Sequence, residues 1–565
     1  MVSILTPIVM LGEVLMETII PKIMGMIVNE GVKGGNLTRL YTLGAIMVVA
    51  ALLSLTFGVL AGSLSAKASA GFAKNLREAA YKNIQTYSFS NIDKYSTAGL
   101  VTRLTTDITN IQNAYQMILR MCMRSPAMLI FAMVMSFSIS PKIASVYLIA
   151  VVILGMILAI IVKFAMKYFT EVFKKYDDLN ASVQENVSAI RVVKAYVRED
   201  YEKSKFHKAA ENVYKLFIKA ETAVVLNSPV MTLTVYSCIL LISWMGAKMI
   251  VGGDLQVGDL STLLAYCMNI LMSLMMLSFI FVMITMSVAS ARRVAEVITE
   301  QADIVNPEDP EMEVMDGSIT FENVSFKYKK DADDFVLKDI NLSIKSGETI
   351  GIIGGTGSAK SSLVNLISRL YDVSEGSVKV GGIDVRGYDL KALRDQVSVV
   401  LQNNVLFSGS VYDNLRWGKE DATEEECRKA AELACADEFV SKMPEGYNTK
   451  IEQGGSNVSG GQKQRLCIAR ALIKKPKILI LDDSTSAVDT ATDQKIRTAF
   501  REEIPGTTKL IIAQRIASVQ DADRIIVMED GRIDAFDTHE NLLKNNEIYS
   551  EVYEEQTNGG GDFDD

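Results

Sequence analysis

The chain has 565 residues, more than one ordinary domain needs, so two or more are expected. It is 49% hydrophobic with a mean hydropathy of +0.20, which is high for a protein dissolved entirely in water. A net charge of −9 argues against a nucleic-acid partner, and six cysteines without a CxxC pair, with only two histidines, exclude zinc and iron–sulfur spacings and a disulfide framework.

The hydrophobicity is unevenly spread. About 20 apolar residues cross a bilayer as a helix. Runs of that length occur at 3–28, 39–65, 117–139, 143–166, 224–250 and 261–288. They are too many, and carry too little charge, for a soluble helical bundle. Short links join the first run to the second, the third to the fourth and the fifth to the sixth: Asn29 to Thr38, Ser140 to Lys142, and Val251 to Leu260. The two remaining connections have about fifty residues each. One carries Lys67, Lys74, Arg77, Lys82 and Arg103, the other Lys174, Lys175, Arg191, Lys194, Arg198 and Lys203. That Lys/Arg excess places both in the cytoplasm. Their helical pattern predicts membrane helices that continue into the cytosol and turn there in short helices.

Glu13 and Glu17, four apart in the first run, share one helix face. A charge there is costly unless it is paired or faces a cavity. Two readings stay open: both line a polar substrate path, or Glu17 makes an interhelical bond while Glu13 lies near a membrane surface. No basic stretch precedes this run, and Glu13, Glu17 and Lys22 interrupt it, so a cleaved signal peptide is not expected.

Residues 1–297 therefore read as a transmembrane domain, and 298–316, acidic with two prolines, as a linker. Gly317 to Tyr328 alternates as a strand. A β run, Thr349 to Ile353, then feeds Gly354-Gly355-Thr356-Gly357-Ser358-Ala359-Lys360-Ser361-Ser362 and a helical stretch. Strand, loop and helix in that order are the setting of a phosphate loop for ATP. Backbone N–H groups wrap the phosphates, Lys360 reaches the β- and γ-phosphates, and Ser361 binds Mg²⁺. A second cradle is Val458-Ser459-Gly460-Gly461-Gln462, just before a helical run at 463–475, where N–H groups aim at anions. Two phosphate grips on one nucleotide-binding domain imply two nucleotides, each sandwiched between this chain and a partner. Ile478 to Leu481 is a buried-strand run ending in Asp482, a Mg²⁺-associated carboxylate. The domain is expected to span 317–555, followed by a glycine-rich, acidic, disordered tail at 556–565. Cys427, Cys435 and Cys467 in this half fit a reducing cytosol.

The stretch "VSGGQKQRLCIARAL" resembles the signature of the ATP-binding-cassette (ABC) ATPases, with Val458 for the usual Leu. Residues 91–113 resemble the first intracellular loop of ABC exporters and 185–200 the second. The resemblance implies an all-α six-helix transmembrane domain followed by an α/β P-loop nucleotide-binding domain. The loop tips would rest on the ATPase domain and carry its motion to the membrane. Tyr328 would stack on adenine, and Gln402 would contact Mg²⁺ and face those tips. Ser459, Gly460, Gly461 and Gln462 would hold a γ-phosphate supplied by the facing subunit, and Asp489 belongs to the 486–489 loop that crosses the dimer interface. Family members usually begin with a cytoplasmic elbow helix; here it is short or missing, so the chain is expected to begin late.

Four departures from the family pattern bear on mechanism. Ala359 stands where Gly is usual, and its methyl is expected to crowd the approach to phosphate. Gln453 stands where exporters often have Glu. Asp483 replaces the Glu that polarises the attacking water; one methylene shorter, it would fall short by more than about 1 Å, a misplacement that can cost about 10²-fold. Gln514 replaces the switch histidine and cannot become an imidazolium. A site that binds ATP and Mg²⁺ but hydrolyses slowly, beside an intact signature, resembles one subunit of the bacterial heterodimeric multidrug ABC exporters. That implies a different half-transporter as partner, a place in the cell membrane with the ATPase domain in the cytoplasm, and an amphipathic small molecule or lipid as exported substrate. The alternatives are a homodimeric exporter using Asp483 as base, a dedicated peptide exporter, and a non-transporting ABC ATPase, against which the six membrane runs argue.

Overall fold

The apolar runs fold as helices, several of them far longer than a bilayer requires. The computed structural model describes residues 2–329, 331–483 and 488–558. Its helices open with α1 (Val2–Met26), α2 (Leu37–Thr86), α3 (Phe89–Lys94), α4 (Thr97–Thr102), α5 (Ile108–Ile139) and α6 (Pro141–Ser188). They continue with α7 (Ile190–Ala195), α8 (Glu199–Val225), α9 (Asn227–Val251) and α10 (Val257–Thr299). The 50 residues of α2 extend roughly 75 Å at 1.5 Å per residue, more than twice the hydrocarbon thickness. The polar end of such a helix has to stand in water, as the charge pattern predicts. The short turning helices are α3 and α7.

Two units form, one from residues 1–85 and 96–300 and the other from 86–95 and 301–565. In the first, the main apolar core draws on α5, α6, α9 and α10, with Ile143, Leu154, Ile242 and Leu263 fully enclosed. Leu52, Leu55 and Val59 of α2 remain exposed, as residues facing lipid must be. Buried tyrosines find backbone acceptors: Tyr147 donates to the Leu263 carbonyl at 2.8 Å and Tyr266 to the Thr18 carbonyl at 2.6 Å. Helices α1 and α10 meet at glycines; a Cβ on Gly258 would lie 2.1 Å from the Gly25 carbonyl oxygen.

In the second unit the strands are β1 (Ile319–Phe326), β2 (Leu337–Ile344), β3 (Thr349–Gly354), β4 (Glu375–Val380), β5 (Ile383–Asp384), β6 (Val397–Val400), β7 (Gly409–Ser410), β8 (Lys450–Ile451), β9 (Ile478–Asp482), β10 (Thr508–Ile512), β11 (Arg524–Glu529) and β12 (Arg532–Asp537). The helices are α11 (Lys360–Ile367), α12 (Leu390–Gln396), α13 (Val411–Arg416), α14 (Glu424–Leu433), α15 (Asp437–Val440), α16 (Gly460–Leu472), α17 (Thr490–Glu503), α18 (His539–Asn545) and α19 (Glu547–Asn558). The central sheet has the order β12-β11-β3-β10-β9-β6, parallel except for β12 at one edge. Its strands are covered on both faces, which is why Ile350, Ile352, Ile478, Ile480, Leu510 and Ile512 form near-continuous apolar runs. An antiparallel sheet, β2-β1-β4-β5, accompanies it.

Two expected boundaries shift. Helix α10 takes residues 298 and 299 from the expected linker. Further along it, Glu311 bridges Tyr388, Val314 is buried, and Lys477 donates to the Val314 and Met315 carbonyls, so this part lies against the nucleotide-binding domain. Gln556 to Asn558, expected in the tail, are the last residues of α19, because Tyr549, Val552 and Tyr553 of that helix pack on the domain core. Residues 559–565 lie outside the described residues.

Candidate nucleotide site

The site gathers where parallel strands end, the usual ligand position of such a sheet. Ile512 of β10 pairs with Ile352 of β3 and Asp482 of β9. That register brings the phosphate loop, the Asp482-Asp483 pair and Gln514 to one sheet end. Gly354 has to be glycine, since a Cβ would lie 2.2 Å from the Met528 carbonyl oxygen. Gly355, Thr356 and Gly357 are exposed, whereas Ser358 and Ser362 are buried. Ala359 is the N-cap of α11 at φ 72°, ψ 24°, in the left-handed region. Its methyl packs on the domain core. The departure from Gly therefore carries a backbone strain of about 1 kcal/mol at this position.

Lys360 arches back over the loop, its Nζ 2.8 Å from the carbonyl oxygens of both Gly354 and Gly355. Burial holds its pKa below the usual lysine range, against the pull of Asp482 and Asp483. Ser361 Oγ donates to Asp482 Oδ1 at 3.0 Å. Two oxygens about 2.1 Å from an octahedral Mg²⁺ in adjacent positions lie about 3 Å apart, so this pair fits the metal. Burial pushes the Asp482 carboxyl up, as does Asp483, while Ser361 and Lys360 oppose the shift.

The two altered positions are bonded to each other. Gln514 Nε2 donates to Asp483 Oδ2 at 2.8 Å. Asp483 itself sits at φ 47°, its N–H donating to the Ile512 carbonyl at 3.1 Å. Gln402 is exposed in the loop after β6, two residues beyond Val400, whose register partner on β9 is Leu481. That places its backbone beside the strand carrying Asp482.

Tyr328 lies two residues past β1 and is 44% exposed. Its hydroxyl is 2.8 Å from Ser362 Oγ, and its ring meets Phe326 and Tyr371 edge to face, with centroids 4.8 and 5.0 Å away. Sequence reasoning missed Tyr371. Its hydroxyl donates to the Asp93 carboxylate at 2.6 Å and its ring meets Phe89 at 6.0 Å, so the support of Tyr328 reaches α3. Ser90 also donates to Asp303 at 2.6 Å and Asn91 to the Gln301 carbonyl at 3.0 Å. The first loop tip thus rests on the ATPase domain. Tyr371→Phe removes one hydroxyl and is expected to cost about 1 kcal/mol, read as a fall of a few degrees in Tm. Asp93→Ala, which removes the acceptor, should show a similar loss, and the double variant little more than either.

The signature stands on a separate helix, α16, which packs against α13 and α14. Ser459 is its N-cap: Ser459 Oγ accepts from Gln462 N at 3.3 Å, and Gln462 Oε1 accepts from Ser459 N at 2.9 Å. This capping box leaves Gly460 and Gly461 in the first turn, where N–H groups have no partner within the helix. Asp489 caps α17, accepting from Thr492 N at 2.9 Å. Residues 484–487, including Ser486 of the expected interface loop, lie outside the described residues.

A second polar cluster lies in the transmembrane unit. Arg124 of α5 donates to Glu13 Oε1 at 2.8 Å and to both Glu17 oxygens at 2.7 and 2.8 Å. Glu17 makes the interhelical bond that one reading expected. Glu13 shares it, buried at 6% exposure. The signal was available: a charge inside the third apolar run needs a partner as much as the glutamates do.

Comparison with known proteins agrees with this architecture. The transmembrane region of ABC transporters matches residues 4–275, and the ABC transporter family of ATP-binding domains matches residues 337–486. The ABC transporter ATP-binding protein YfiB of Bacillus subtilis (strain 168), itself uncharacterised, is 36% identical over 97% of this chain and 95% of its own length. The ATP-dependent lipid A-core flippase of Desulfotalea psychrophila is 33% identical over 81% of this chain and 80% of its own. The structure of a bacterial Atm1-family ABC exporter with ATP bound shares the fold, with a TM-score of 0.84, 24% identity, and coverage of 98% of this chain and 97% of that one. Helices of membrane-crossing length followed by this domain make a multi-pass membrane protein with its ATPase domain in the cytoplasm. The chain belongs to the ABC transporter family, as a half-transporter that joins one transmembrane region to one ATP-binding domain in the ABC exporter fold.

Proposed function

We propose that this chain is one half of a heterodimeric ATP-driven exporter and that its own nucleotide site is the slow one. The observation that carries the reading is the Gln514–Asp483 bond. The carboxylate at the position of the water-polarising residue is one methylene short and turned toward a neutral amide. ATP would lie on the exposed loop at Gly355 to Gly357, with its phosphates against Lys360 and its base against Tyr328. Mg²⁺, held by Ser361 and Asp482 with Gln402 beside them, would neutralise charge on the β- and γ-phosphates. Ser459 to Gln462, with Asp489, would face the partner's nucleotide, where hydrolysis occurs. The 27 methionines, most of them in the transmembrane half, suit an adaptable lining for an amphipathic small molecule or lipid. The similarity to a lipid A-core flippase points the same way.

The test is ATPase activity of the purified chain, alone and with a candidate partner half-transporter. Activity is expected only with the partner, to survive Asp483→Ala within about twofold, and to fall by at least about tenfold with Ser459→Ala. Robust hydrolysis by the chain alone, abolished by Asp483→Ala, would instead establish a homodimer in which Asp483 is the base.

A further inference from the structure

The chain's last described helix reaches the segment after β10 that carries Gln514. Tyr549 of α19 is fully buried with its hydroxyl 2.7 Å from His539 Nδ1, and Ile548, Val552 and Tyr553 pack on the core that contains Ile516 and Val519. These contacts fix the helix along its axis and in rotation. Gln556, two turns beyond Tyr549, is thereby held over the segment that follows β10. Its Nε2 donates to the Gln514 carbonyl at 2.9 Å, and its Oε1 accepts from the Ile516 N–H at 2.8 Å. One primary amide thus closes on backbone groups on both sides of Arg515, which is extended at φ −99°, ψ 128°. Donor and acceptor are both used. Among side chains of this reach only Gln supplies the two together; Glu keeps the acceptor and loses the donor.

The clamped residue is the one whose side chain holds Asp483. A continuous set of bonds therefore runs from α19 through the Gln514 backbone to its side-chain amide and on to the Asp483 carboxylate. We infer that Gln556 is a positioning residue for ATP binding: it fixes the Gln514 backbone so that the side-chain amide is presented to a γ-phosphate. The inference rests on the proposed function and on Gln514, at the family's switch position, hydrogen-bonding the γ-phosphate through its amide. It has a specific signature. ADP lacks the γ-phosphate, while Tyr328 and Lys360 serve both nucleotides. Loss of the clamp should weaken ATP and spare ADP, whereas general loosening of the domain would weaken both alike.

The experiment measures Mg²⁺-dependent affinities for a non-hydrolysable ATP analogue and for ADP on the full-length purified chain, with hydrogen exchange at the Ile516 amide as a second readout. Gln556→Ala is expected to lower the ATP-analogue to ADP affinity ratio about three- to tenfold and to speed exchange at Ile516. Gln556→Glu, which keeps the Ile516 bond, should fall between Gln556→Ala and wild type in both readouts. Gln514→Ala should lower the ratio at least as far, and adding Gln556→Ala to it should change nothing more. If Gln514→Ala lowers the ratio and Gln556→Ala does not, or if the two effects add in full, the positioning role is overturned while the γ-phosphate contact stands. If Gln514→Ala leaves the ratio unchanged, the γ-phosphate contact is wrong and the positioning role falls with it.

Discussion

Asp483→Glu combined with Gln514→His is expected to raise single-turnover ATP hydrolysis at this chain's own site by about two orders of magnitude. The physical basis is distance and charge. Glu carries its carboxylate about 1 Å further toward the water, the scale of misplacement that costs about 10²-fold. His can take the charged form near neutral pH that Gln514 cannot. The single variants should recover much less, because Gln514 and Asp483 are bonded and each substitution alone leaves a partner in the wrong chemistry. Asp483→Glu leaves the Gln514 amide free to hold the longer carboxylate. Gln514→His leaves the short carboxylate in place. A small stability loss should accompany the gain, since Asp tolerates the φ of 47° at position 483 better than Glu. Measured with a candidate partner half-transporter, the assay needs that subunit's own phosphate-loop lysine replaced, so that turnover reports on this site alone. A double variant no faster than wild type would show that these two residues do not limit hydrolysis at this site.

The same pair shows what the sequence carried and what it did not. The substitutions at 483 and 514 are legible as departures from a motif. The bond between them is not, because it depends on β9 and β10 lying side by side with Asp482 opposite Ile512. The phosphate loop, the signature and the membrane helices are local patterns of spacing and hydropathy, so they could be placed residue by residue. The partners that support them are long-range. Tyr371 and Asp93 are 278 positions apart, and nothing in either neighbourhood names the other. Gln556 sits in a polar, acidic stretch that reads as a tail. Only the packing of Tyr549 and Val552, two turns and one turn earlier, on the domain core makes it part of the domain. Ala359 is legible as a departure from the motif, whereas its left-handed backbone angle is not something residue identity reveals.

Arg124→Ala is expected to be the most damaging single substitution in the transmembrane unit. Arg124 bonds three carboxylate oxygens, on Glu13 and Glu17, and Glu13 Oε2 is already buried without a hydrogen-bond partner among the described residues. Removing the guanidinium leaves two like charges four residues apart on one helix, one of them buried at 6% exposure. Breaking a buried pair in this way costs about 3–5 kcal/mol, a large part of a typical stability of about 5–15 kcal/mol. The expected result is a steep fall in folded yield and Tm of the solubilised protein. Lys at this position should rescue only in part, since a point charge on a flexible stem does not reproduce the fork that reaches both glutamates. The decisive variant is Arg124→Ala with Glu13→Gln and Glu17→Gln. Neutral amides need no counter-charge, so this triple variant should regain most of the lost Tm if unpaired charge is the cause. If it stays as unstable as Arg124→Ala alone, the arginine acts through packing between α1 and α5 and not through its charge.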